Sequence, residues 1–230
     1  MPTRKISFAN DEVYHTCNRG VDKRDIFLDE KDYLHCIHDF YEFNDNKPAL
    51  TKFYETMSPK LPRTMLVDIL AFALMPNHFH LLLKQKKEGG IVAFMHKFGV
   101  GYAMYFNQKY QRAGTLFQGP FRAVHVTNNA HFIHLPFYIH ANPLDLIFPE
   151  WRERNLKNPE AAFEFLKQYR WSSFPDYIGI KNFPSVTERS FLTNFIGTPK
   201  KFESATLRLL KEMDVSIVDD IALEPIEKSL

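Results

Sequence analysis

Apolar and polar positions along this chain alternate with period two in some stretches and recur at three- and four-residue steps in others. Val13 to Cys17 is a short β-branched and aromatic run that predicts a strand, closed by Asn18-Arg19-Gly20 as a turn. Asp29 is placed to cap a helix reaching about Asn44, because Glu30, Lys31 and Asp32 load its first turn and Tyr33, Leu34, Ile37, Phe40 and Tyr41 follow helical spacing. Pro48, Pro59 and Pro62 mark Asn46 to Arg63 as a variable connection. The stretch Ile69 to Gln85, ILAFALMPNHFHLLLKQ, consists of two apolar runs joined by a Met75-Pro76-Asn77 break, and this predicts a hairpin.

Gly89-Gly90 then opens the segment Ile91 to Tyr110, where Phe94, Phe98, Tyr102, Tyr105 and Phe106 predict a long amphipathic helix, interrupted or kinked near Gly99 and Gly101. Phe121 to Thr127 returns as a strand, and Asn128 or Asn129 caps a further helical segment. From Glu150 the pattern loosens, with Pro175, Pro184 and Pro199 as punctuation and a helix from about Phe202 to Met213. The order strand, helix, strand, strand, helix, strand, helix predicts an α+β fold: an antiparallel sheet with helices mainly on one face, plus an irregular and helical C-terminal extension. The boundary falls between residues 1–149 and 150–230, with an acidic tail from about residue 212.

Composition changes this picture little: 45% hydrophobic residues and 24% charged residues in 230 suit a globule with a sizeable core. No apolar run is long enough to cross a bilayer and the N-terminus lacks an apolar signal, so no membrane partner is expected and the cytoplasm is the expected compartment. Cys17 and Cys36 form neither a disulfide framework nor a zinc spacing and read as packing residues. Charge matters more through its distribution than through its sum of +2. Between Lys84 and Arg122 seven cations face Glu88 alone, whereas from Glu212 onward six acids face Lys228 alone. The basic stretch directly after the hairpin supports phosphate binding.

The chemistry-bearing residues begin with His78 and His80. On a strand they point to one face, roughly 6 to 7 Å apart, while Phe79 points to the other. Two imidazoles on one face suit a shared metal ion, although such a pair is more often merely half-buried. In His131 to Leu144, HFIHLPFYIHANPL, a helix would align His134, Tyr138 and Asn142 at four-residue steps. Pro136 means that this helix either kinks there or starts there.

LMPNHFHLLL resembles the signature of the single-tyrosine HUH endonucleases, the family of insertion-sequence transposases and REP-associated tyrosine transposases. YHTCNRG (Tyr14 to Gly20), FMHKFGVGYAMYFNQKYQRAGTLFQGPFRAVHV (Phe94 to Val126), YIHANPL (Tyr138 to Leu144) and YRWSSFPDY (Tyr169 to Tyr177) are similar to family blocks in the family's order. The resemblance implies a ferredoxin-like core, with residues 1–149 as the catalytic domain. It also implies Tyr138 as the nucleophile, His78, His80 and Asn142 as metal ligands, and Mg²⁺ or Mn²⁺ as cofactor. The implied reaction nicks and rejoins single-stranded or hairpin DNA through a 5′-phosphotyrosine; the alternative is a domesticated hairpin-DNA-binding protein that does not cut. His125 and His140 stay open as further ligands, and a homodimer is compatible with the family. Arg19, Lys97, Lys109, Arg112 and Arg122 are the phosphate-contact candidates, and Tyr102, Tyr105 or Phe117 the base-stacking ones. Pro120 departs from the family by standing where many relatives carry a basic residue. No chemical role attaches to YRWSSFPDY beyond joining the extension to the core.

Overall fold

In the computed structural model, which describes residues 6–47, 63–212, 218 and 221–223, the sheet has four antiparallel strands in the order β2-β3-β1-β4. These are β1 (Val13–Arg19), β2 (Val67–Met75), β3 (His78–Gln85) and β4 (Arg122–His125). Helix α1 (Glu30–Glu42) joins β1 to β2, α2 (Gly90–Lys109) joins β3 to β4, and α3 (Asn129–Ala141) follows β4. Crossing from β1 to β2 leaves room for β3 between them, and crossing from β3 to β4 leaves room for β1; this is the ferredoxin-like arrangement. Among the described residues the extension adds α4 (Pro159–Gln168), α5 (Phe174–Tyr177), α6 (Arg189–Ile196) and α7 (Pro199–Glu212).

The hairpin turns at Pro76-Asn77, with Met75 paired to His78. Strand β1 runs two residues further than its apolar pattern predicts, because Asn18 and Arg19 continue the ladder opposite Phe79 and His78. Alternation along the strands then builds two cores. Tyr14, Phe72, Leu74, Phe79, Leu81 and Leu83 face α1 and α2, whose Ile37, Phe40, Phe94 and Phe98 fill that side. Ala71, Ala73 and Leu82 face α3 and the extension, with Leu135, Trp151, Phe163, Phe174 and Phe202. The helices therefore cover both faces, not mainly one, since Ala71, Ala73 and Leu82 give the second face an apolar patch of its own beside its histidines and arginines.

Three local expectations change. Helix α2 is continuous from Gly90 to Lys109 through both glycines, because Gly101 packs against the Phe43 ring: an added Cβ would lie 2.3 Å from it. Helix α3 starts at Asn129, capped by the Asn128 side chain, and carries Pro136 in its interior. Strand β4 is only four residues long. The connection predicted over Asn46 to Arg63 lies largely outside the described residues, as do most acids of the tail. No helix among the described residues is long and apolar enough to cross a membrane.

The Tyr169–Tyr177 block acquires a structural role. Its backbone pairs with the free edge of β2: Leu74 donates to the Trp171 carbonyl at 2.9 Å and Ser173 donates to the Phe72 carbonyl at 3.0 Å. The Ser173 hydroxyl accepts from the Phe72 amide at 2.9 Å, and the Tyr169 and Tyr177 hydroxyls donate to Leu74 and Leu70 carbonyls.

Candidate active site

Strand register brings the imidazoles together. His78 stands opposite Arg19, His80 opposite Cys17, and Cys17 opposite Arg122, so these five side chains share the face that α3 covers. The His78 and His80 rings lie 5.1 Å apart between centroids. Burial lowers the pKa of His78 to about 3, and it holds that of His80 well below the ordinary histidine range. Arg19 and Arg152 push both in the same direction. Both rings are therefore neutral at neutral pH, the state in which imidazole binds a metal.

The phenol comes from α3. Tyr138 and Asn142 sit one turn apart, and the Tyr138 ring centroid is 6.5 Å from that of His80. Tyr138 is 4% exposed, and its hydroxyl accepts a hydrogen bond from Arg152 Nη1 at 3.2 Å. Arg152 also lines, with His78, Arg19 and Arg122, a cavity of about 690 Å³. Asp145 holds the guanidinium by two short bonds, to Nε at 2.7 Å and to Nη2 at 2.6 Å, and is fixed in turn by the Trp151 indole N–H at 2.6 Å. A bidentate carboxylate of this kind fixes the plane of the arginine, and with it the donor aimed at the phenol.

Asn142 caps α3: its Nδ2 donates to the Tyr138 carbonyl at 2.8 Å, while its Oδ1 accepts from Arg152 Nη2 at 2.9 Å. Both ends of the amide are thus engaged within the protein. The two imidazoles fit a divalent ion as nitrogen donors with room left for phosphate oxygens and water. The Asn142 oxygen joins such a set only by giving up Arg152.

The structure divides the sequence-predicted DNA contacts into two groups. Arg19 and Arg122 lie at the cavity, and Pro120 lines a neighbouring hollow with the same two arginines. The remaining candidates are on α2 (Lys97, Tyr102, Tyr105 and Lys109) or in the loop that follows it (Arg112 and Phe117), and none of them lines the cavity. Tyr102 is fully buried and donates to the Ile26 carbonyl at 2.6 Å, so it has no face to offer a base. Tyr105 stacks on His35 at 3.5 Å and donates to Asp32; Lys109 is held by Asp29 and Asp32 at 2.8 and 2.6 Å. Lys97 donates to the Asp45 and Lys47 carbonyls, and Arg112 to Asn107. Phe117 packs edge-on to Phe79. Of the two further histidines, His125 pairs with Glu12 at 2.9 Å, and His140 bonds the Ser173 hydroxyl at 2.7 Å among Phe174, Tyr177 and Phe202.

Sequence reasoning missed two site residues. Arg152 stands in a part of the chain with little periodicity, and His15 was read only as part of a strand. The signal for His15 was its parity: it lies two residues before Cys17, on the face that pairs with His80.

Among solved structures, one described as the structure of the REP-associated tyrosine transposase bound to a REP hairpin is similar at 13% identity, covering 80% of this chain and 90% of that one with a TM-score of 0.46. No curated protein matches the chain. The family model described as IS200-like transposase matches residues 42–142, a span that holds His78, His80, Tyr138 and Asn142. Over that span the chain matches the IS200-like transposases, the insertion-sequence family that its motifs resemble.

Proposed function

We propose that this protein nicks and rejoins single-stranded or hairpin DNA through Tyr138, with Mg²⁺ or Mn²⁺ held by His78 and His80. The carrying observation is that one chain sets two neutral, buried imidazoles on one face and a phenol 6.5 Å from the second of them, ring to ring. A divalent cation at the imidazoles supplies charge neutralisation at the scissile phosphate. The protein's own groups do the rest. Arg152 Nη1 donates to the phenol oxygen and places a fixed positive charge beside the attacking atom. Arg19 and Arg122 stand where the strand's phosphates would enter. The phenolate oxygen forms a bond to phosphorus, the bond from phosphorus to the 3′ oxygen breaks, and that oxygen leaves as a 3′-hydroxyl after taking up a proton. Attack by a 3′-hydroxyl on the phosphotyrosine reverses these steps and reseals the strand.

A second reading, hairpin binding without cleavage, is favoured by one feature: Arg152 grips the Tyr138 hydroxyl and the Asn142 oxygen together, and the phenol is nearly covered. Incubation with end-labelled hairpin DNA and Mn²⁺, followed by a denaturing gel, separates the two. The cleavage reading expects a covalent protein–DNA adduct that is lost in Tyr138→Phe and on chelation with EDTA. An adduct undiminished in Tyr138→Phe refutes it, and retarded but never covalently captured DNA selects the binding reading.

A further inference from the structure

His15 belongs to no part of the chemistry above, yet it is fully buried and touches the site. Its Nδ1 lies 3.0 Å from the carbonyl oxygen of Ile221, which reaches the sheet from the far end of the chain. Its Nε2 lies 2.9 Å from Nδ1 of His80. A carbonyl oxygen can only accept, so the proton of a neutral His15 is on Nδ1 and its Nε2 carries a lone pair. Nδ1 of His80 must then supply the proton between the two rings. This leaves Nε2 of His80 without a hydrogen, and that atom, also buried, has no hydrogen-bond partner among the described residues.

We infer that His15 is a positioning residue: anchored by the Ile221 carbonyl, it accepts the Nδ1–H of His80 and fixes that ring in the tautomer whose Nε2 lone pair is open to a metal ion. The inference rests on the reading of His80 as a metal ligand. The physical need is real, because an imidazole with its proton on the liganding nitrogen cannot bind, and ligand histidines are ordinarily oriented through their second nitrogen. Here the orienting group is another imidazole and not a carboxylate, so the ligand is oriented with no negative charge added to the site. The ring contact supports the geometry, with the His15 and His80 centroids 5.1 Å apart and the planes inclined at 28°.

Long-range ¹H–¹⁵N correlation spectra of the full chain, free of metal and labelled in its histidines, read the tautomer directly. His80 is expected to be protonated at Nδ1 and bare at Nε2. Mn²⁺ binding followed by electron paramagnetic resonance is expected to weaken roughly 10- to 100-fold in His15→Phe, which cannot accept. In His15→Gln, whose amide oxygen can accept, it is expected to stay close to wild type. A wild-type spectrum with His80 protonated at Nε2 overturns the inference, and so does undiminished Mn²⁺ affinity in His15→Phe. Should that variant fail to fold, the wild-type tautomer decides alone. Absence of a Tyr138 adduct with the tautomer as expected rejects only the cleavage reading; a reversed tautomer with the adduct present rejects only this inference.

Discussion

Single residues show how far an environment can move a group from its ordinary chemistry. Asp39, on α1, is buried with its Oδ2 unpartnered among the described residues, and burial, with the nearby Glu42 carboxylate, raises its pKa to about 8. His35 and His38 face its other oxygen at 3.6 and 4.0 Å. The folded state therefore keeps a proton that the unfolded chain releases near pH 4, and stability attributable to this group falls as pH rises from about 4 to about 8. Asp39→Asn, neutral throughout, is expected to gain on wild type across that window by on the order of 2 kcal/mol. Thermal melts of both proteins at pH 5, 6, 7 and 8 check it, and a pH-independent gap between them counts against it. At this scale the sequence was partly legible. His78 and His80 stood out because parity puts them on one face, whereas His15 and Arg152 become site residues only through pairing register and the return of the extension, which no local window contains. Asn142 was legible as an amide one turn from Tyr138, but not as the cap and arginine partner that it is.

At the scale of elements, apolar periodicity located each strand and helix of the core, and its misses came from contacts made elsewhere in the chain. Glycine in a helix interior is unfavourable by about 1 kcal/mol relative to alanine, which is why a break was expected in α2. The two glycines differ in what surrounds them. Nothing lies within 4 Å of a Cβ built on Gly99, whereas one on Gly101 meets the Phe43 ring at 2.3 and 2.4 Å. Gly99→Ala is expected to stabilise by about 0.5 to 1 kcal/mol. Gly101→Ala is expected to destabilise by roughly 1 to 3 kcal/mol, as overpacking does. Denaturant unfolding of the pair measures both, and equal shifts would show that helix propensity alone governs the position. Pro136 taught the converse lesson: a helix buried on this sheet tolerates the loss of one backbone bond, so a proline did not mark its start.

For the whole molecule, the order of elements was enough to expect an antiparallel sheet with packed helices and the motif resemblance added its ferredoxin-like form, while the second covered face was not legible, because the extension's amphipathic pieces are short and separated by prolines. Its most specific contribution is the strip from Trp171 to Ser173 laid along β2. Ser173→Ala removes the acceptor of the Phe72 amide and the hydroxyl that His140 bonds, leaving buried polar groups unmet, and is expected to cost roughly 1 to 3 kcal/mol in denaturant unfolding. An unchanged midpoint would show that water takes the hydroxyl's place. The other flank, β4, is short and carries Arg122, a poor template for a foreign chain. β2 is different: nine residues, almost all apolar, with backbone groups aimed outward. Its seal of serine and tryptophan occupies the bonds that a bare apolar edge would offer to another copy, so that peeling the strip away would leave β2 a template for edge-to-edge aggregation.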